Sequence, residues 1–152
     1  FVDVGGPGRH QDLLLTSVWP GWPLLRHVLR ATRRPAEALH SSILPLRVDG
    51  EARLVTARIE AAGEVAAGLA GLHAAVATGG VRITVAAAPL ARADDRPLLE
   101  LALGRRLSPA EGEALRFDPA NAGAGLPPIG LLGLRDAAYA GSSRGRAEAA
   151  ER

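Results

Sequence analysis

The sequence predicts an α+β fold built on an antiparallel sheet, and three observations predict it. Apolar runs stand next to one another across tight-turn signals, foremost Asp49-Gly50 between Ile43–Val48 and Ala52–Ile59. Helix-like segments are interspersed without the strand–helix–strand alternation that a parallel sheet requires. Gly and Pro together supply 29 of the 152 residues, too many for a helical bundle and suited to frequent turns between short elements. A chain of this length forms one domain with a real core, so 1–152 is read as a single domain.

In chain order, Gly5-Gly6-Pro7-Gly8 predicts a turn after the short apolar start Phe1-Val2-Asp3-Val4. Asp12 to Val18 reads as a buried strand or an extended segment. Trp22 to Arg34 reads as a helix, because Leu24, Leu25, Val28 and Leu29 recur at helical spacing. Pro35 opens a shorter helix through Glu37 and Leu39. The Asp49-Gly50 hairpin follows. Gly63 to Thr78 is Ala-rich and helical, ending at Gly79-Gly80. Val81 to Ala87 alternates as a strand, and Leu98 to Leu103 forms a further one beyond the polar Asp94-Asp95 loop. Ser108-Pro109-Ala110-Glu111 is a strong helix start, with Ser at the cap and Pro at the first helical position. Phe117 to Pro128 is irregular, and Ile129 to Glu151 is helical by composition.

Composition narrows the chemistry. Without Cys there is no disulfide, thiolate site or Cys nucleophile. All 18 basic residues are Arg, which lifts the pI to about 10.3 although the net charge is only +2. No basic run exceeds two residues, and aromatics do not interleave with Arg, which argues against a nucleic-acid surface. The most apolar early stretch, Leu13 to Leu29, is broken by Pro20 and Pro23 and carries Arg26 and His27, so no membrane span is expected. The start at Phe1 and the lack of Met read as a fragment, a processed product or a truncated chain. A cytoplasmic location is the expectation. His10 lies in a Gly-rich turn and reads as surface structure. His27, His40 and His73 fall on separate elements, show no metal-ligand spacing and read as ordinary helix residues.

The clearest chemical signal lies in the last segment. Arg135, Tyr139, Ser142 and Arg146 sit at offsets 0, 4, 7 and 11, within a stripe of roughly 60° on one helix face. A plain amphipathic helix would put Leu or Ala there. Two guanidiniums sharing a face with the only phenol of the chain suit an anion and a partner for phenolate. The run Arg135-Asp-Ala-Ala-Tyr139-Ala-Gly-Ser-Ser-Arg144-Gly-Arg146 resembles the proximal pattern of the catalase-like haem proteins, and Phe117-Asp118-Pro119-Ala120-Asn121 with Gly125-Leu126-Pro127-Pro128 resembles their upstream motif. Weaker likenesses cover Arg96–Arg105, His40–Gly50 and Gln11-Asp12-Leu13-Leu14.

The resemblance implies the C-terminal half of a catalase core: a partial antiparallel β-barrel whose C-terminal helix carries the proximal ligand of haem b. It implies Tyr139 as the iron ligand, Arg135 as the cation that keeps the phenol ionised, and Arg146 as a propionate partner. Ser142 sits where a small hydroxyl residue follows. Trp19 or Trp22 is the candidate for stacking on the haem, and the alternative is that both pack as core or rim. The implied activity is that of a peroxide-handling oxidoreductase acting on hydrogen peroxide or organic peroxides. The alternative is a catalytically inactive haem-binding or scaffold protein of the same fold, and a third is an unrelated α+β domain.

The pattern departs from the family in two places. No distal His is present, and the distal Asn position falls on Thr16 or Ser17, each a hydrogen-bond donor to peroxide but not a general base. The interval from Pro128 to Arg135 is about two residues short. A half barrel without its early strands should have open edges and an exposed apolar interior, and should need the missing N-terminal half or a second copy. One rival motif fails: Gly141-Ser142-Ser143-Arg144-Gly145 has the spacing of a nucleophile elbow, but it follows a helix and no His comes after it.

Overall fold

The computed structural model describes residues 1–115, 117–118, 121–123 and 125–129. It is an α+β structure on an open, six-stranded antiparallel sheet. The strands are β1 (Thr16–Val18), β2 (Leu39–Ser41), β3 (Leu46–Val48), β4 (Glu51–Ala61), β5 (Val81–Pro89) and β6 (Arg96–Ala102). The helices are α1 (Gly68–Ala77) and α2 (Pro109–Ala114), and single 3₁₀ turns occupy Pro23–His27 and Pro35–Glu37. The sheet runs β1-β2-β4-β5-β6, with β3 paired to the far end of β4.

Local chemistry sets the hairpins. Asp49 and Gly50 both take positive φ, 50° and 83°, the pair of left-handed conformations that a two-residue type I′ turn needs. That turn joins Val48 to Glu51, and β2 and β3 then lie along the same edge of the eleven-residue β4. Between them four residues, 42–45, stand opposite two, 54 and 55, so the paired strand is interrupted by a bulge. Ser42 braces it: its Oγ donates to the Leu44 carbonyl at 2.7 Å and accepts from the Val55 N–H at 3.2 Å. A second irregularity at Val85/Ala86 leaves Leu98 as the extra residue of β6.

The middles of the two long central strands, 54–57 and 85–88, are buried on both faces. On one face Val55 stands opposite Ala87 and Ala57 opposite Val85, and this layer packs with Leu46 and Val48 under Leu13, Leu15 and Leu126. On the other, Leu54 faces Ala88 and Thr56 faces Ala86, all buried. The small Ala86-Ala87-Ala88 run lets β5 sit between two covered surfaces. Fully burying a residue such as Leu54 or Val55 contributes about 1.5–3 kcal/mol.

Two helix expectations fail. Trp22–Arg34 is a helix only over the 3₁₀ turn Pro23–His27; Val28 is extended, and Leu29 bridges back to Val18. Pro35 opens three residues of 3₁₀ structure, and Leu39 belongs to β2. In the second case sheet pairing takes Leu39; in the first, Leu29 makes only an isolated bridge, and Leu24, Leu25, Val28 and Leu29 stay exposed. β4, β5 and β6 follow the sequence closely. β1 and β3 are three residues each, shorter than the segments 12–18 and 43–48 expected, and α1 begins at Gly68 instead of Gly63. Gly79 takes φ 80° after α1. At α2, Ser108 and Glu111 form a reciprocal capping box, with the Glu111 N–H donating to Ser108 Oγ at 3.3 Å and the Ser108 N–H to Glu111 Oε2 at 2.8 Å.

The segment after α2 returns across the sheet. Arg47 N–H donates to the Pro127 carbonyl at 2.8 Å and Ile129 N–H to the Pro45 carbonyl at 2.9 Å. Residue 129 thus lies against the 42–45 bulge. The expected helix Ile129–Glu151 falls outside the described residues except for Ile129. Among the described residues no helix is long and apolar enough to cross a membrane.

Candidate functional site

Of the residues singled out by sequence, Arg135, Tyr139, Ser142 and Arg146 lie outside the described residues. Thr16, Ser17, Trp19 and Trp22 lie within them, on and just after β1. Alternation along β1 sends Thr16 and Val18 to one face and Ser17 to the other. Thr16 stands opposite Ser41, and Ser17 opposite His40. The Ser17 hydroxyl donates to the Arg30 carbonyl at 2.6 Å, which ties β1 to the chain leaving the 3₁₀ turn. The Thr16 hydroxyl forms no hydrogen bond to another described residue.

Trp19 and Trp22 are both exposed, 48% and 68%. Neither is a core residue. Arg30 covers the Trp19 ring with its guanidinium carbon 4.9 Å from the ring centre, within cation–π range.

His40 is the residue that the sequence did not mark. It occupies the middle of β2, shares a cross-strand row with Ser17 and Ala57, and is partly buried. Its Nδ1 is buried without a hydrogen-bond partner. Burial pushes its pKa down from the usual imidazole value, against weaker support from the Ala57 and Ala38 backbone, so the ring is held toward its neutral form. The flanking Leu39 and Ser41 are buried, a burial pattern that the Leu-His-Ser sequence, with one apolar residue, does not signal. His27 is also placed: its Nδ1 lies 2.9 Å from the Ile43 carbonyl in the bulge. His10 is exposed and accepts from the Asp3 N–H at 3.1 Å; His73 is exposed on α1.

The two stretches Gln11-Asp12 and Phe117–Asn121, more than a hundred residues apart, are clasped together. Asp12 Oδ2 accepts from the Asp118 N–H at 2.8 Å and from Asn121 Nδ2 at 3.0 Å. Buried Gln11 donates from Nε2 to the Asn121 carbonyl at 3.0 Å, and the Asp12 N–H donates to the same carbonyl at 3.1 Å. Gly123 donates to the His10 carbonyl at 2.7 Å. Gly5 and Gly123 meet so closely that a Cβ on Gly5 would overlap the Gly123 carbonyl. The Asp and Asn of the upstream motif therefore fasten the segment that leads into β1.

No cluster of three or more His, Cys, Asp or Glu able to hold a metal occurs among the described residues. The geometry defines a class, an α+β domain on an open antiparallel sheet with a partly buried imidazole and a hydroxyl paired across its first two strands. No family model, curated protein or solved structure matches the chain.

Proposed function

We propose that the chain is the C-terminal half of a catalase-like domain, a partial antiparallel barrel that binds haem b and handles peroxide. The observation that carries this reading is the ordered pair of motifs, Phe117–Asn121 followed by Arg135–Arg146, in one chain. Two structural features support it. The clasp joins the two separate stretches that resemble the family, Gln11–Leu14 and Phe117–Asn121. The sheet is antiparallel and open, and β6 pairs with β5 alone among the described residues, which leaves an edge for the strands of a distal half.

The donor set suits haem chemically. Tyr139 would hold the iron, with Arg135 one helical turn away favouring the phenolate; Arg146 would pair with a propionate, and Ser142 shares their face. Trp19 or Trp22 supplies an aromatic surface. Ferric haem, when bound, supplies the redox chemistry toward peroxide. The chain's own contribution on the sheet side is hydrogen bonding from the Thr16 hydroxyl, which has no partner among the described residues; His40 pairs with Ser17 and so faces the other side of the sheet.

The test is peroxide consumption by the haem-loaded chain, compared with free haemin at the same concentration. The reading expects faster turnover than free haemin and a slower rate in Thr16→Val, with His40→Ala, on the other face of the sheet, leaving the rate unchanged. Turnover equal to that of free haemin would sink the catalytic part. One observation favours the inactive alternative: the Ser17 hydroxyl is already committed to the Arg30 carbonyl, so β1 offers Thr16 alone. Saturable haem binding without turnover would select it.

A further inference from the structure

The stretch 19–30 is unusual in what it leaves in water. Trp19, Trp22, Leu24, Leu25, Val28 and Leu29 are all at least 37% exposed, six large apolar side chains within eleven positions. Such a density exceeds the scattered apolar exposure normal for a protein surface and marks a binding face. Directly after it, Arg30, Thr32, Arg33, Arg34 and Glu37 line a polar cavity of about 430 Å³. Arg34 is paired to Glu37 at 2.7 Å, and Glu64 is the other carboxylate near it. Arg33 has no ion-pair partner among the described residues, and Arg30 lies over Trp19. Arg26, by contrast, is buried against Asp95 and contributes no surface charge.

We propose that this face docks on the surface of an anionic phospholipid bilayer, with the lipid phosphates in the arginine cavity and Trp22, Leu24 and Leu25 entering the acyl boundary. Charge complementarity chooses this occupant. Two of the guanidiniums lining the cavity, Arg30 and Arg33, have no carboxylate partner among the described residues, and Arg forks match phosphate oxygens. In a two-fold dimer the same patch would face its own copy and bring those guanidiniums together, which disfavours self-association. Trp combines an apolar ring with a polar N–H and settles at the headgroup level, and the apolar stretch is too short to span. The 3₁₀ turn at Pro23–His27 presents the apolar side chains as a compact knob, tied to the sheet by Arg26 and Asp95.

The test uses the full chain without haemin, so its failure leaves the haem reading standing. Co-sedimentation is measured with vesicles of phosphatidylcholine alone and with phosphatidylglycerol added. Binding is expected only with the anionic lipid, weakening as salt rises, with a blue shift of Trp emission and quenching by brominated acyl chains. Arg30→Gln and Arg33→Gln should each weaken binding about fivefold, since each Arg near an anionic surface is worth that much. Trp22→Ser should abolish the quenching. Failure of the wild type to bind anionic vesicles would overturn the proposal, as would equal binding to phosphatidylcholine alone or unchanged binding by both Arg variants. A dimer in sedimentation velocity that protects Trp22 would also overturn it and assign the face to a second copy.

Discussion

Removing the Asp95 carboxylate tests the electrostatic design of the fold most sharply. Arg26 is 5% exposed, and its Nη1 lies 2.6 Å from Asp95 Oδ1. Its Nε is buried without a partner, so this single contact carries most of its compensation. The pair joins the 3₁₀ turn at Pro23–His27 to the loop before β6, across 69 positions of sequence. Breaking a buried pair from one side costs about 3–5 kcal/mol, because the remaining charge stays out of water. Asp95 is 26% exposed, so water can partly replace it, and Asp95→Ala should lose about 3 kcal/mol. The double variant Arg26→Met/Asp95→Ala removes the stranded charge and should recover most of that loss. Urea unfolding followed by far-UV circular dichroism measures both, provided the slopes agree. A loss below about 1 kcal/mol for Asp95→Ala, or a double variant no more stable than the single one, would refute the reasoning.

Three other outcomes follow from particular contacts. Burial lowers the pKa of His40 from 6.5, so the unfolded chain binds the proton first; stability is full above pH 6.5 and declines as pH falls below it, and His40→Leu should flatten that decline in urea titrations. The Arg105 guanidinium and the Ser108 cap pull the Glu111 carboxyl down from 4.5 to about 2, so the support it gives α2 is complete above pH 4.5 and lost as pH falls toward 2; amide exchange at the start of α2 should show that loss, and Glu111→Gln should abolish its pH dependence. Asp12→Ala removes the shared acceptor of the Asp118 N–H and Asn121 Nδ2 and should cost about 1–3 kcal/mol in urea unfolding, with no loss expected for the exposed control Arg92→Ala.

What the sequence revealed was mostly local. The Asp49-Gly50 turn, the Gly79 helix stop and the Ser108-Pro109-Ala110-Glu111 start each act through neighbouring residues, and each appears in the structure as read. What it concealed was settled by distant partners. Leu24, Leu25, Val28 and Leu29 have helical spacing, but Leu29 bridges Val18, Arg30 donates its N–H to the Ser17 carbonyl, and Arg26 reaches Asp95. Those contacts favour an extended chain after residue 27. His40 was read as a helix residue for the same reason: Pro35 starts a helical turn, yet pairing with β1 and β4 claims Leu39–Ser41. The Asp and Asn of Phe117–Asn121 were legible as a motif, but not as the partners of Gln11 and Asp12, because nothing local links positions so far apart.

The most direct measurement is a haemin titration by absorption spectroscopy on the wild-type chain and on Tyr139→Phe. The account predicts saturable binding with a high-spin ferric spectrum of the tyrosinate type in the wild type, and its loss in the variant. No saturable binding by the wild type, or the same spectrum in Tyr139→Phe, would contradict it.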